Sequence, residues 1–167
     1  DPYGCGRGFE EMTACREAGV ECVVIPGVSS AFAAPAAAGI PITDRRLVRS
    51  VGMIAGRPAD EGESADARYK SLAGMDAVII LMGRSNLRQI ADSLMAAGRA
   101  ADTPVACIER ATTPEKRVTV ATLGSIADVA DRENIQSPMV AVVGEVAALA
   151  IDSRSKPAIA MSASARD

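Results

Sequence analysis

The stretch D-A-V-I-I-L-M at 76–82, followed by G-R-S-N-L-R-Q-I-A-D-S-L-M-A-A-G at 83–98, decides the fold class. Its first part is apolar on successive positions from Ala77 to Met82, the mark of a strand covered on both faces. The period then changes. Leu87, Ile90, Leu94 and Met95 recur at helical spacing, with Ser85 as candidate N-cap and Gly98 as the stop. A buried strand feeding an amphipathic helix is the repeating unit of an α/β layered fold.

Working outward, Pro104 to Glu109 reads as a strand, and Arg117 to Leu123 alternates like a more exposed, antiparallel edge strand. Ser125 to Asp131 reads as a short helix, and Met139 to Val143 as a last buried strand ended by Gly144. Upstream, Leu47 to Ala55 alternates as a strand. Gly56 to Ala67 reads as a polar loop, in which Asp60, Glu61, Glu63 and Asp66 form a solvated acidic cluster whose spacing fits no calcium loop. Gly8 to Ala18 reads as a helix with acidic residues in its first turn and Gly19 as terminator. Glu21 to Ile25 is a β-branched run of buried-strand type closed by Pro26-Gly27. Ser29 or Ser30 then caps an alanine-rich helix to Ala38, with Gly39 as its C′ residue and Pro41 blocking continuation. These alternations predict a mainly parallel sheet. A seam near Ile40 to Asp44 divides the chain into 1–42, the end of one α/β domain, and 43–151, a second, complete one. Residues 152–167 lose periodicity and are expected to be a disordered tail.

Composition narrows the chemistry. The 167 residues include no His and no Trp, so no Ser-His-Asp triad, Cys-His dyad or His-bearing zinc site can be assembled from them. A net charge of −3 and only two Tyr and two Phe give neither a basic footprint nor stacking platforms for nucleic acid. The longest apolar run, Ala31 to Ile42, is broken by two prolines and a glycine and falls short of the ~20 residues of a membrane span. Cys5, Cys15, Cys22 and Cys107 lack C-x-x-C spacing and read as reduced thiols of a cytoplasmic protein. No metal site is expected. Fifteen Arg stand against three Lys. That excess has two readings, base composition of the genome or a use for bidentate carboxylate recognition.

Clusters of Gly, Pro and small polar residues fall at strand and loop ends: D-P-Y-G-C-G-R-G at 1–8, P-G-V-S-S at 26–30, M-G at 82–83 and E-R-A-T-T-P at 109–114. Any one alone is readily a tight turn. G-C-G-R-G lacks the preceding strand of a dinucleotide fingerprint, and no G-x-x-x-x-G-K-[ST] is present.

Taken together, D-P-x-x-x-G-R-G-x-E-E at 1–11, V-I-P-G-V-S-S-A at 24–31, A-G-I-P-I-T-x-R at 38–45, L-M-G at 81–83, A-T-T-P-E-K-R at 111–117 and V-V-G-E-V at 142–146 closely resemble the tetrapyrrole methylase family, in particular its branch acting on uroporphyrinogen III. The resemblance implies two α/β domains, the second with a mixed sheet, and S-adenosylmethionine bound in the cleft between them. It implies two successive methyl transfers to uroporphyrinogen III, giving precorrin-2 and S-adenosylhomocysteine, in sirohaem or cobalamin synthesis. It also implies a homodimer; the composition above adds the expectation of a cytoplasmic setting with no nucleic-acid or membrane partner. Carried over by motif, the cofactor contacts are Asp1, Gly4, Ser29, Ser30, Met82 and Ala111. Arg7, Arg45 and Arg46 are candidate holders of the substrate's carboxylates. The family's presumed Asp base and Lys are expected upstream of Asp1, so no residue here takes a catalytic acid/base role, and the residues given are expected to be inactive alone. The competing reading is a non-catalytic binding or dimerisation module of the same fold, or a methylase for another tetrapyrrole position. Three departures stand out: Asp44 where the family usually has His, Lys116 where it has Gln, and Gly4 where it has a branched apolar residue.

Overall fold

Runs of Val, Ile and Ala with no polar interruption can be satisfied only by burial on both sides, and here they form the middle of a sheet. The computed structural model describes residues 1–56 and 65–151, without the side chains of 65–68. In chain order the elements are α1 (Gly8–Glu17), α2 (Ser30–Ala37), β1 (Val51–Ala55), α3 (Ala65–Ala73), β2 (Ala77–Leu81), α4 (Leu87–Ala96), β3 (Pro104–Glu109), β4 (Arg117–Thr122), α5 (Ile126–Arg132) and β5 (Met139–Val143), followed by a 3₁₀ turn, Glu145–Leu149.

The sheet order is β1-β2-β5-β3-β4. β1 and β2 run parallel, whereas β5 pairs antiparallel with both β2 and β3, and β3 with β4. The mixed sheet and the antiparallel edge strand are therefore as expected. The mainly parallel sheet is not, because β5 enters between β2 and β3 in the opposite direction.

Alternate residues of each strand point to opposite faces. On one face Val78, Ile80, Val105, Cys107, Ala141 and Val143 pack against Leu72, Ile90, Leu94 and Ile126 of α3, α4 and α5. On the other, Ala77, Ile79, Leu81, Ala106, Ile108 and Val142 meet Ala31 and Ala34 of α2, with Ala38, Ile40 and Val146. Small alanines let α2 lie close on the sheet. The core thus runs without interruption from α2 across the seam expected near Ile40 to Asp44. Gly144 closes β5 with φ +136°, and an added Cβ there would lie 2.5 Å from the Asp76 carbonyl oxygen.

Several expectations are corrected. Glu21 to Ile25 forms no strand, and Val23 and Ile25 are 77% and 79% exposed. Among the described residues no strand lies alongside to take up its backbone hydrogen bonds, and a β pattern without a partner is not a strand. The strand expected from Leu47 is shorter, starting at Val51, because residues 44–48 fold into a turn closed by an Asp44–Val48 bridge. α3 begins inside the expected polar loop; its signal was only Tyr69 and Leu72, three apart in a polar run. The rest of that loop, with Asp60, Glu61 and Glu63, lies outside the described residues, as do the side chain of Asp66 and the tail 152–167. Ser85 does not cap α4; it sits in a 3₁₀ turn at Arg84–Asn86, and the Asn86 amide donates to the Gly56 carbonyl at 2.8 Å.

Candidate ligand cleft

The ends of β2 and β3 and the start of β5 lie side by side, because β5 runs against its neighbours. A cleft of about 1070 Å³ opens there, walled by α2 and by the loop at 4–5. Its floor is apolar, from Ala34, Leu81, Ile108 and Val140; its rim is polar, from Ser30, Ser85, Thr113 and Gln136. Beyond the carboxyl ends of strands is where open α/β sheets hold ligands. A second depression of about 370 Å³, between Asp1, Tyr3, Gly27, Ser29, Phe32 and Met53, shares Gly4 with the first.

The six residues carried over by motif are brought to these two hollows: Gly4, Ser30, Met82 and Ala111 to the larger, Asp1, Gly4 and Ser29 to the smaller. Asp1 works as a staple. Its Oδ1 accepts from Tyr3 N at 2.8 Å and Gly4 N at 3.0 Å, and its Oδ2 from Gly27 N at 3.2 Å, joining the loops 1–8 and 24–29. Ser29 caps α2, its Oγ accepting from Ala31 N at 3.2 Å. Met82 has φ +55° and lines the cleft. Gly4 has ordinary van der Waals room for a Cβ, 3.6 Å from Ser29 Oγ, so the departure from a branched residue is not forced by space.

The three arginines assigned to substrate line neither hollow. Arg7 is exposed and paired with Glu10. Arg46 pairs with Asp44 at 3.3 Å, and Arg45 is exposed. Asp44 is not a free anion: Arg46 N at 2.8 Å and Leu47 N at 3.2 Å donate to its carboxylate. The Arg46 backbone N–H, followed by its guanidinium, holds the Asp44 carboxyl below the usual range. Lys116 donates to the Ala37 carbonyl, a cation at the C-terminus of α2, so this departure ties α2 to the β3–β4 connection.

Sequence reasoning missed what shapes the far wall. Glu109, buried at the end of β3, accepts from the guanidinium of Arg117 and from Gln136 N at 2.7 Å. Arg117 also donates to the carbonyls of Glu133 and Asn134 at 3.0 and 3.1 Å, and Arg84 to that of Ile135 at 2.5 Å. Three charged side chains thus grip the backbone of 133–136, which leads into the cleft wall at Gln136 to Val140. Glu109 and Arg117 are register partners across β3 and β4, a signal available once the hairpin is known.

The tetrapyrrole (corrin/porphyrin) methylases match residues 1–127. The chain belongs to that family. Among methylases of known role, it is 42% identical over 147 residues to the S-adenosyl-L-methionine-dependent uroporphyrinogen III methyltransferase of Methanosarcina barkeri, a match covering 87% of this chain and 58% of that protein. It is 41% identical over 151 residues to the sirohaem synthase of Tolumonas auensis, covering 90% of this chain and 31% of that one. The chain therefore spans about six tenths, or less, of these relatives. Among solved structures, the uroporphyrin-III C-methyl transferase of Thermus thermophilus complexed with S-adenosyl homocysteine superposes with a TM-score of 0.76 at 30% identity, over 89% of this methylase chain and 64% of that one.

Proposed function

We propose that this methylase binds S-adenosylmethionine in the cleft at the ends of β2, β3 and β5 and serves C-methylation of uroporphyrinogen III, two transfers giving precorrin-2 and S-adenosylhomocysteine. The observation that carries the reading is the convergence of Gly4, Ser29, Ser30, Met82, Ala111 and the Asp1 staple on two adjoining hollows, in a fold shared with an enzyme complexed with S-adenosyl homocysteine. The donor set fits the ligand. An apolar floor suits a purine, and hydroxyls and bare backbone at the rim suit a ribose and an amino-acid end.

When bound, S-adenosylmethionine supplies a sulfonium methyl to an electron-rich ring carbon. The chain's own contribution is placement: the floor excludes water, the pinned wall at 136–140 fixes the cleft's width, and alignment of the two reactants supplies much of the rate. Glu115 is the carboxylate lining the cleft among the described residues, and the Thr113 hydroxyl holds it below the usual carboxylate range. That makes it a weak proton acceptor. The inactivity expected of these residues alone, the division at 42/43, the candidate roles of Arg7, Arg45 and Arg46, the homodimer, the cytoplasmic setting and the lack of nucleic-acid or membrane partners belong to the same proposal. No helix among the described residues is long and apolar enough to cross a membrane.

Calorimetric titration of the chain with S-adenosylhomocysteine tests the reading. Saturable binding with a Kd below about 1 mM, some 4 kcal/mol, is expected; its absence favours the non-catalytic module. Label transferred from S-adenosylmethionine to uroporphyrinogen III by these residues alone refutes the expected inactivity.

A further inference from the structure

The arginines around the cleft are mostly committed. Arg84 is held by Asp131 and the Ile135 carbonyl, Arg117 by Glu109. Arg110 differs. It lines the cleft, is exposed, and makes no ion pair among the described residues. Its backbone is left-handed, φ +44°, a conformation uncommon for a long side chain. That conformation is held from both sides: Arg110 N donates to the Pro138 carbonyl at 3.1 Å, and the Arg110 carbonyl accepts from Thr113 N at 3.2 Å and Thr113 Oγ1 at 2.8 Å. Unusual backbone held by its surroundings at a cleft edge points to a residue whose direction matters.

We propose that Arg110 is a carboxylate clamp for the methyl acceptor, gripping an acetate or propionate group of a polycarboxylate tetrapyrrole through charge-assisted, forked hydrogen bonds. The proposal rests on the methylase reading above. An acceptor with eight carboxylates brings charge to an exposed rim, whereas the apolar floor suits the uncharged purine of the cofactor. Arg7 and Arg46 already have anionic partners, Glu10 and Asp44, and line neither hollow; Arg110 needs no bond broken before it can bind.

The test uses the chain and two variants, Arg110→Gln and Arg110→Gly. The glycine variant removes the guanidinium while suiting the left-handed backbone, so lost binding in it is not misfolding. Uroporphyrin III, the oxidised and non-reacting form of the acceptor, is titrated by fluorescence, and S-adenosylhomocysteine by calorimetry. Both variants are expected to bind uroporphyrin about tenfold more weakly at low salt, with a smaller difference at high salt, and to bind S-adenosylhomocysteine as the parent does. Unchanged uroporphyrin affinity, or no uroporphyrin binding by the parent chain, overturns the clamp. Loss confined to S-adenosylhomocysteine overturns the acceptor assignment and moves Arg110 to the cofactor's amino-acid end. A parent chain that binds uroporphyrin through Arg110 but no S-adenosylhomocysteine supports the clamp and overturns the methylase reading.

Discussion

Replacing Glu109 with Ala isolates the group that holds the cleft wall. The carboxylate is nearly all buried, its side chain 6% exposed, and it accepts one bond from Arg117 and one from Gln136 N. A hydrogen bond to a charged group contributes about 1.5–3 kcal/mol, so two set a range of about 3–6 kcal/mol. The lower end applies. Arg117 is 37% exposed and keeps its bonds to the Glu133 and Asn134 carbonyls, so water recovers part of what it loses. Glu109→Ala is therefore expected to cost about 3 kcal/mol, and Glu109→Gln about half that, since an amide preserves shape and one acceptor. Urea unfolding followed by circular dichroism reads both, with the slope unchanged if only the native state is affected. The alanine variant is also expected to weaken S-adenosylhomocysteine binding. Glu109→Ala within about 1 kcal/mol of the parent, or Glu109→Gln as damaging as Glu109→Ala, would refute the reasoning.

Asp76 supplies a pH dependence. Backbone N–H groups of Arg49 and Ser50, with the Ser50 hydroxyl, hold its carboxyl below the ordinary 3.8. A depressed folded-state value stabilises the fold above the ordinary value and is lost as pH falls through the depressed one, so Asp76→Asn should flatten the acid decline of Tm below about pH 4; parallel declines count against it. Burial pushes the Cys107 thiol up to about 12. Native chain at pH 8 should be alkylated fastest at exposed Cys5, more slowly at Cys22, whose thiol is also pushed up by desolvation and by Cys15, and at Cys107 only on unfolding, read by peptide mass spectrometry. Gly144→Ala, with φ +136° and a Cβ 2.5 Å from Asp76 O, should cost at least about 2 kcal/mol in urea unfolding. Gly4→Ala, with a nearest contact of 3.6 Å, should fall within about 0.5 kcal/mol of the parent.

β3 and β5 begin and end where the residues indicated, because a strand buried on both faces is apolar at nearly every position and its ends are marked by Pro, Glu or Gly. α2 was legible for a similar reason, with Ser29 and Gly39 bounding an alanine run. Glu21 to Ile25 misled because β-branched residues state what a segment does when offered a neighbour, and local pattern does not supply the neighbour. Strand direction was equally hidden: nothing within Met139 to Val143 says that it runs against β2. The small-residue motifs that line the two hollows were readable because turns at strand ends demand particular small residues in a particular order. The arginines were not. Which guanidinium finds a carboxylate is decided across the hairpin for Arg117 and between the turn after β2 and α5 for Arg84, and which is left facing a cleft, as Arg110 is, emerges only after those pairings are made.

The place of β5 has a consequence for how the chain is made. Among the described residues, the last strand in sequence is the third in the sheet and the one that pairs β1-β2 with β3-β4. During vectorial synthesis the two strand pairs can form early as local units, held together by α4 against α5, with the Arg88–Asp128 ion pair between them, but among the described residues no strand pairing joins them until Met139 to Val143 has left the ribosome. The non-local pairing with β2 then closes over a span of some sixty residues, a slow kind of event. The floor of the cleft includes Val140, so among the described residues the cleft and the five-stranded sheet are completed in the same step.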